Sequence, residues 1–385
     1  MSDAPVLFEE RSAANGKRIG IATLNAPKTL NGLSLEMARL LDERLRTWAG
    51  DNGIAMVVLQ GAGEKAFCAG GDLHSLYGSM RDYEAAHGSD VRDNAYASDF
   101  FSVEYRLDYL IHTYPKPILC WGHGIVMGGG IGLMAGASHR VVTERSRLAF
   151  PEITIGLYPD VGGSFLLHHV PANAGVFLAL TGAPLNSGDA IRAGLADVQL
   201  PSESRETLDA AVLQAAWTDD AQGNAAALSD VLQRFAVEPA PGPLQGHAEA
   251  IAAACAHDDL DTVIAAIQAM PGDDPWLVTA RQTLDAGAPG SARLSFALQQ
   301  RAAHLSLADT FRLEYVVSLH CAAHGDFAEG IRALLIDKDR TPRWRPATLA
   351  DATQAWAAPF FIEPWRAGEH PLRDLGNDTA SRNTA

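Results

Sequence analysis

The stretch that decides the fold is CWGHGIVMGGGIGLMAGASHRVVTERSRLAFPEITIGLYPDVGG, residues 120–163. An apolar run at 118–120 reads as a strand, Gly128, Gly129 and Gly130 as a turn without side chains, and the small, apolar residues 131–137 as a buried helix. Three glycines at a helix start leave amide N–H groups uncovered. Together with the positive end of the helix, those groups can hold a developing negative charge. Taken alone, such a turn equally serves to let a helix pack closely on a sheet, and a lone Gly-rich turn is a weak motif. Its company distinguishes it: Glu152 and, eight residues on, Asp160, each beside a proline.

Working outward, residues 6–11 and 18–24 are expected as two strands joined by the Asn15-Gly16 turn, a strong short hairpin signal. A loop over 24–33 leads to Ser34, the expected N-cap of a helix that runs to about Trp48 with Met37, Leu40, Leu41 and Leu45 on one face. The run 55–60 reads as a buried strand, and the loop 61–73 behind it holds a second glycine pair, Gly70-Gly71, followed by Asp72. Residues 77–94 are polar and expected to be mobile, while 98–113 show helical periodicity through Phe101, Tyr105, Leu107 and Leu110 and carry Glu104. Short strands are expected at 138–142 and 147–150, and helices at 164–170, 175–181 and, behind Asn186, 189–194. Repeated strand, Gly-rich loop and helix units argue for α/β architecture with sites at the strand ends. Beyond about Leu200, Ala-rich amphipathic helices take over, interrupted by Glu238-Pro239-Ala240-Pro241-Gly242-Pro243. The organisation expected is therefore a core over 1–200, a helical region over 201–372 and a disordered tail over 373–385.

Composition narrows the function. A chain of 385 residues exceeds the length at which one core usually keeps growing, and 47% hydrophobic residues are enough for an ample one. No run of about eighteen apolar residues occurs, so no membrane span is expected. The first 18 residues lack the apolar core of a signal peptide and carry acids that transit peptides avoid, which makes the cytoplasm the expected location. A net charge of −16 disfavours nucleic acid as a partner. Anionic ligands stay open, because a nest of amides or a few lysines binds phosphate even in an acidic protein. Cys68, Cys120, Cys255 and Cys321 show no CxxC spacing and are expected as buried free thiols in a reducing compartment, with no metal cluster among them.

The Gly-rich loops at 69–72 and 128–130 each follow a strand and precede a helix. Amides from two such loops converging on one point make an oxyanion hole, paired donors placed where a carbonyl oxygen gains charge. Neither loop fits G-x-G-x-x-G followed by a ribose-binding acid, and no GxxxxGK[ST] occurs, so dinucleotide and P-loop readings fall. No serine sits in a GxSxG elbow. His123, between two glycines, is expected to be satisfied by backbone near the turn. His168 and His169 are expected as surface or packing residues, and Asp72 as an N-cap with no catalytic part.

The combination of Lys65-Ala66-Phe67-Cys68-Ala69-Gly70-Gly71-Asp72, the run 124–132, and Pro151-Glu152 followed by Gly156 and Pro159-Asp160-Val161-Gly162-Gly163 resembles the crotonase (enoyl-CoA hydratase/isomerase) superfamily, and within it most closely the 3-hydroxyisobutyryl-CoA hydrolase group. The superfamily part covers roughly residues 5–200. The longer helical C-terminal half of that group is matched in length, and its late segment is similar to residues 329–340 with Pro342-Arg343-Trp344.

The resemblance implies a crotonase-like core of stacked ββα turns, α/β in class, that binds acyl-CoA, with a helical C-terminal region. It implies a thioester carbonyl held by the backbone amides of Gly71 and Gly129. By the same carry-over, CoA lies along the loops 25–30 and 65–70, past Ala66 and Ala69, with Lys28 and Lys65 as the cations for phosphate. Either lysine taken singly reads as well as a solvated loop residue. The family's hydratases place one carboxylate two residues after the third glycine of the GGG turn and a second in the Pro-Glu motif, because adding water across a double bond needs two positioned acid/base groups. Here the first position is Gly132, which disfavours hydration by that mechanism, and a dienoyl-CoA isomerase also wants an acid there.

The hydrolase group fits better, with Glu152 and Asp160 present and Glu104 matching a further acid of its pocket. The implied catalytic set is Glu152, Asp160, Gly71 and Gly129, with Glu104, Lys28, Lys65, Ala66 and Ala69 binding substrate and no metal. The expected partner is an acyl-CoA, neither nucleic acid nor membrane, and homo-oligomerisation is left open. No cofactor is expected, since coenzyme A is part of the substrate. The alternatives are a crotonase-like isomerase or hydratase, and an acyl-CoA binder without catalysis, against which the three acids speak.

Overall fold

The computed structural model describes residues 4–377. The chain forms two compact units and passes between them five times. The first holds Met1–Gly71, Leu110–Ala149 and Pro184–Gly246, and the second Asp72–Tyr109, Phe150–Ala183 and His247–Ala385.

The first unit is built on nine strands: β1 (Val6–Ser12), β2 (Arg18–Leu24), β3 (Ile54–Gly61), β4 (Ala66–Cys68), β5 (Ile118–Gly122), β6 (Ile125–Met127), β7 (His139–Val142), β8 (Arg147–Ala149) and β9 (Val198–Gln199). They form a six-stranded sheet in the order β1-β2-β3-β5-β7-β9 and a three-stranded sheet in the order β4-β6-β8. Among the described strands β1 and β2 pair antiparallel, Val6 opposite Leu24 and Ser12 opposite Arg18, as their tight Asn-Gly connection permits. The other pairs are parallel and need crossovers.

Residues 54–59 of β3 are buried without alternation, the mark of a strand covered on both faces. Ser34 starts the helix Leu35–Gly50 by accepting from Met37 N at 3.1 Å, and the helix buries Met37, Leu41, Leu45 and Trp48, while Leu40 stands half-buried beside them.

The change of texture near residue 200 does not mark the edge of a unit. The helices Arg205–Gln214 and Ala221–Gln233 bury Leu208, Val212, Leu228, Val231 and Leu232 in one core with Ile19, Ile21, Met56, Val58 and Trp121 of the sheet, so residues 201–246 stay in the first unit. Helical segments from 72–109 and 150–183 join the C-terminal helices in the second.

Within the second unit the segment 77–94, expected to be mobile, is instead half helical. Asp72 caps the helix Leu73–Ala85, accepting from Ser75 N at 3.2 Å, and Leu76, Met80 and Tyr83 bury one face of it. That apolar stripe is spaced four and three residues apart among polar neighbours, which hides it from a reading of mean polarity. The helix Ala95–His112 starts in this unit, and the helix Leu307–His324 buries Phe311, Glu314, Tyr315, Ser318 and Cys321.

The tail expected to be disordered from Arg373 is placed as far as Asn377. Arg106 binds Asp374 at 2.6 and 2.7 Å, Arg312 donates to Leu375 O at 2.9 Å, and Leu372 is buried. Residues 378–385 lie outside the described ones. All four cysteines are buried and none forms a disulfide, and among the described residues no helix is long and apolar enough to cross a membrane.

Candidate active site

In the first unit β4 and β6 run parallel, Ala66 opposite Ile125 and Cys68 opposite Val126. The two Gly-rich loops therefore leave neighbouring strands at the same end. Leu33 N donates to Gly70 O at 2.8 Å. Since the C=O and N–H of one trans peptide point in opposite directions, the Gly71 N–H faces away from Leu33. Gly129 opens the helix Gly129–Ala135, so its N–H is one of those a helix start leaves without an internal acceptor. These are the two amides singled out from the sequence.

Lys28, in the turn Pro27–Thr29, and Lys65 are both exposed; Ala66 is buried in β4, and Ala69 N donates to Leu30 O at 3.1 Å. One residue passed over in the sequence ties these loops together. The fully buried Asn31 donates to Ala62 O and Ala66 O, each at 2.9 Å, and accepts from Ala26 N at 3.0 Å. The Asn-Gly pair at 31–32 was the signal for it. His123 is satisfied by backbone, with Nε2 2.9 Å from Gly63 O.

The acids lie in the second unit. Glu104 projects from the helix Ala95–His112, Glu152 opens the short 3₁₀ turn Glu152–Ile155 behind Pro151, and Asp160 sits in the loop leading to the helix Gly163–His168. They are 2%, 4% and 5% exposed, so Glu104 is not a solvated helix acid. Tyr105, next to Glu104, donates its hydroxyl to Asp160 Oδ2 at 2.7 Å. Ser318 Oγ lies 2.7 Å from the Tyr105 hydroxyl and 2.8 Å from that of Tyr158, which also donates to Glu314 O at 2.7 Å. The Glu314 carboxylate accepts from Gly162 N at 2.7 Å and Ser164 N at 2.9 Å. Glu152 Oε2 and both carboxyl oxygens of Asp108 are buried without a hydrogen-bond partner. Asp108 and Glu314 are members of the cluster that the sequence reading missed; an acid on a helix carries no local mark of burial.

Burial without a cation raises proton affinity. It pushes the carboxyls of Glu104, Glu152 and Asp108 well above the usual range, and the neighbouring acids add to the shift, Asp160 in each case. Burial lifts Asp160 to about 6, held back by the Tyr105 hydroxyl, and Glu314 to about 8, held back by its two amides. Asp160 is thus the acid in this cluster that ionises most readily at neutral pH, while Tyr105 and Tyr158, pushed up by burial, stay protonated donors. Despite the number of acids, no group of three among the described residues is arranged to hold a metal ion.

The enoyl-CoA hydratase/isomerase family matches residues 19–361 of the chain. The chain belongs to that family, the crotonases. Among curated relatives of this crotonase, the mitochondrial 3-hydroxyisobutyryl-CoA hydrolase of Danio rerio is 36% identical over 358 residues, covering 92% of this chain and 89% of its own. The Homo sapiens protein of that name is 33% identical over 354 residues, covering 91% and 86%. Among solved structures, a carnitinyl-CoA dehydratase from Mycobacterium thermoresistibile superposes with a TM-score of 0.82 at 36% identity, covering 95% of this chain and all of its own. An enoyl-CoA hydratase from Rhodobacter sphaeroides 2.4.1 gives 0.79 at 35%, covering 93% and 97%. The crotonase-like α/β fold expected from the motifs is the fold of this chain, and the chain is a crotonase-family enzyme. The names of the curated relatives place those proteins in mitochondria, so the cytoplasmic expectation is not carried forward.

Proposed function

We propose that this crotonase hydrolyses the thioester of a short 3-hydroxyacyl-CoA, 3-hydroxyisobutyryl-CoA of valine degradation first among them, and releases free CoA. The observation that carries the reading is the division of labour between two acids of one unit. Glu152 has a buried oxygen with no partner, whereas Asp160 is already oriented by Tyr105. The helix Gly129–Ala135 supports it as well, since it reads GGIGLMA and offers no second carboxylate for adding water to a double bond. The names of the curated relatives agree.

In this reading the amides of Gly71 and Gly129 take the thioester oxygen as it gains charge. The Glu152 carboxylate attacks the carbonyl carbon, the C–S bond breaks, and CoA leaves as thiolate with the bonding pair, which leaves an acyl-enzyme anhydride. Water cleaves the anhydride, restoring the carboxylate and releasing the acid. The variant in which Glu152 acts as general base for direct attack by water uses the same group. Both need Glu152 ionised, and a raised proton affinity makes the ionised form a stronger base and nucleophile.

Asp160 accepts the substrate's 3-hydroxyl, and Glu104 holds that hydroxyl or the water. Analogues lacking the hydroxyl are rejected because they leave the buried acid unpaired. Coenzyme A, as part of the substrate, lies along the loops 25–30 and 65–70, with backbone at Ala66 and Ala69, and Lys28 and Lys65 take its phosphates. No separate cofactor enters.

The test is thiol release from 3-hydroxyisobutyryl-CoA by wild type and by Glu152→Gln. Release that disappears in the variant while the ligand still binds supports the reading. Binding without release by wild type sinks it. A second reading, addition or removal of water at a 2-enoyl-CoA or a double-bond shift, is favoured by the names of the two solved structures. Following enoyl-thioester absorbance without thiol release detects it.

A further inference from the structure

We propose that Glu314 and Ser318, on the helix Leu307–His324, are positioning residues for Asp160, with Tyr105 as the link to its carboxylate, and that together they set the preference for a 3-hydroxyacyl group. The proposal rests on the reading of Asp160 as the acceptor of the substrate hydroxyl, and it assigns a task to helices far along the chain from the motifs that define the family.

The helix Gly163–His168 lacks a side-chain cap of its own. A helix start is usually satisfied by a Ser, Thr, Asp or Asn at the N-cap, whose side chain accepts from one of the first free amides. The helix Gly163–His168 has Gly162 at that position and therefore no side chain to do so. Glu314 supplies the acceptor from another helix. Its two oxygens take Gly162 N and Ser164 N, the amides on either side of Gly163, across 152 and 150 residues of sequence. Gly163 N in turn donates to Asp160 O at 2.7 Å, closing the turn on Asp160 itself.

Between them stands Val161 at φ 54°, a β-branched residue in the left-handed region. Such a conformation is unfavourable for a β-branched side chain and persists only where the surroundings over-determine it. The Glu314 clamp on the next amide but two and on the adjacent Gly162 is such a surrounding. The backbone that carries Asp160 is thus held by a carboxylate that is itself fully buried.

Ser318 completes the arrangement from the side-chain end. It lies four residues after Glu314, hence on the same face of the helix. Counting protons fixes the direction of its bonds. The Tyr105 hydroxyl donates its proton to the hydrogen bond with Asp160 Oδ2, so the contact between Ser318 Oγ and the Tyr105 oxygen needs the Ser318 proton. The remaining contact, to Tyr158, takes the Tyr158 proton, which Ser318 shares with the Glu314 carbonyl. The protons of Ser318 and Tyr105 thus both point toward Asp160, while that of Tyr158 also serves the Glu314 carbonyl, and bonds in such a chain polarise one another. One oxygen of Asp160 is therefore engaged and the plane of the carboxylate set before a substrate arrives.

Three variants test this: Ser318→Ala, Tyr105→Phe and Glu314→Gln. Each is assayed for kcat/KM and for Kd with 3-hydroxyisobutyryl-CoA and with isobutyryl-CoA, which lacks the hydroxyl. Expected is a fall of about tenfold or more in the hydroxyacyl-to-acyl ratio in Ser318→Ala and Tyr105→Phe, with values for isobutyryl-CoA changed less than about threefold. A ratio equal to that of wild type, whether both substrates fall together or neither does, overturns the proposal. Should Glu314→Gln fail to fold, Ser318→Ala, which removes a single oxygen, decides the matter. Failure of the hydrolase reading is seen separately. If wild type releases no thiol, the Kd ratio still reports whether the hydroxyl is recognised through these residues, and no preference in wild-type binding overturns the proposal.

Discussion

A Cβ built on Gly330 would lie 2.3 Å from the carbonyl carbon of Ile155. The helix Phe327–Ile331 therefore presses its backbone directly on the turn that Glu152 opens. Neither partner is the end of a flexible side chain, so a methyl group at 330 has to displace one backbone or the other. Gly330→Ala is expected to cost about 1–3 kcal/mol of stability by overpacking. It is also expected to lower kcat by roughly tenfold to a hundredfold through misplacement of Glu152. Thermal unfolding and single-turnover thiol release check both, and a variant with the melting point and kcat of wild type refutes the link between the two segments.

Gly130 poses the same question in the first unit. Alanine there gains helix propensity of about 1 kcal/mol, but its Cβ would come within 2.1 Å of Cys68 O, which is backbone of β4. The clash outweighs the propensity, and relief requires the loops at 69–72 and 128–130 to part. Gly130→Ala is expected to lower kcat by about 10²–10³, the usual size of a lost oxyanion donor, with a smaller effect on acyl-CoA affinity. A variant more stable than wild type and equally active contradicts this.

Activity should depend on pH through Glu152. Burial and the Asp160 charge both raise its proton affinity, so kcat/KM is expected to rise with pH along a limb displaced upward from the ordinary carboxylate range. Removing the neighbouring charge in Asp160→Asn makes ionisation of Glu152 easier, so the limb moves toward acid. Measured with isobutyryl-CoA, which does not need the hydroxyl contact, a limb that stays in place or moves to higher pH rules the coupling out.

The same group should weaken the fold at high pH. Its proton affinity is raised in the folded state, so above its unfolded value the native protein binds more protons than the unfolded chain. Stability therefore falls as pH rises from the unfolded toward the folded value. Glu152→Gln, which cannot ionise, is expected to be more stable than wild type at pH 8 by about 1 kcal/mol or more, and nearly equal to it at pH 4. Urea midpoints at the two pH values decide. An equal gap at both assigns the effect to packing and not to charge.

Much of this protein was legible residue by residue. The Asn15-Gly16 hairpin, the Ser34 and Asp72 caps, the strand, turn and helix around Gly128 to Gly130, and the acids Glu152 and Asp160 are all read from patterns a few residues wide. Such features depend on backbone conformations and local hydrogen bonds, which neighbours in sequence decide. The membership of residues 201–246 in the sheet's core, the burial of Glu104 and Asp108, and the capping of the helix Gly163–His168 by Glu314 were settled only by the tertiary structure. Burial and long-range pairing join groups more than a hundred residues apart, and an acid that will lose its water looks, in its own stretch of chain, like one that keeps it.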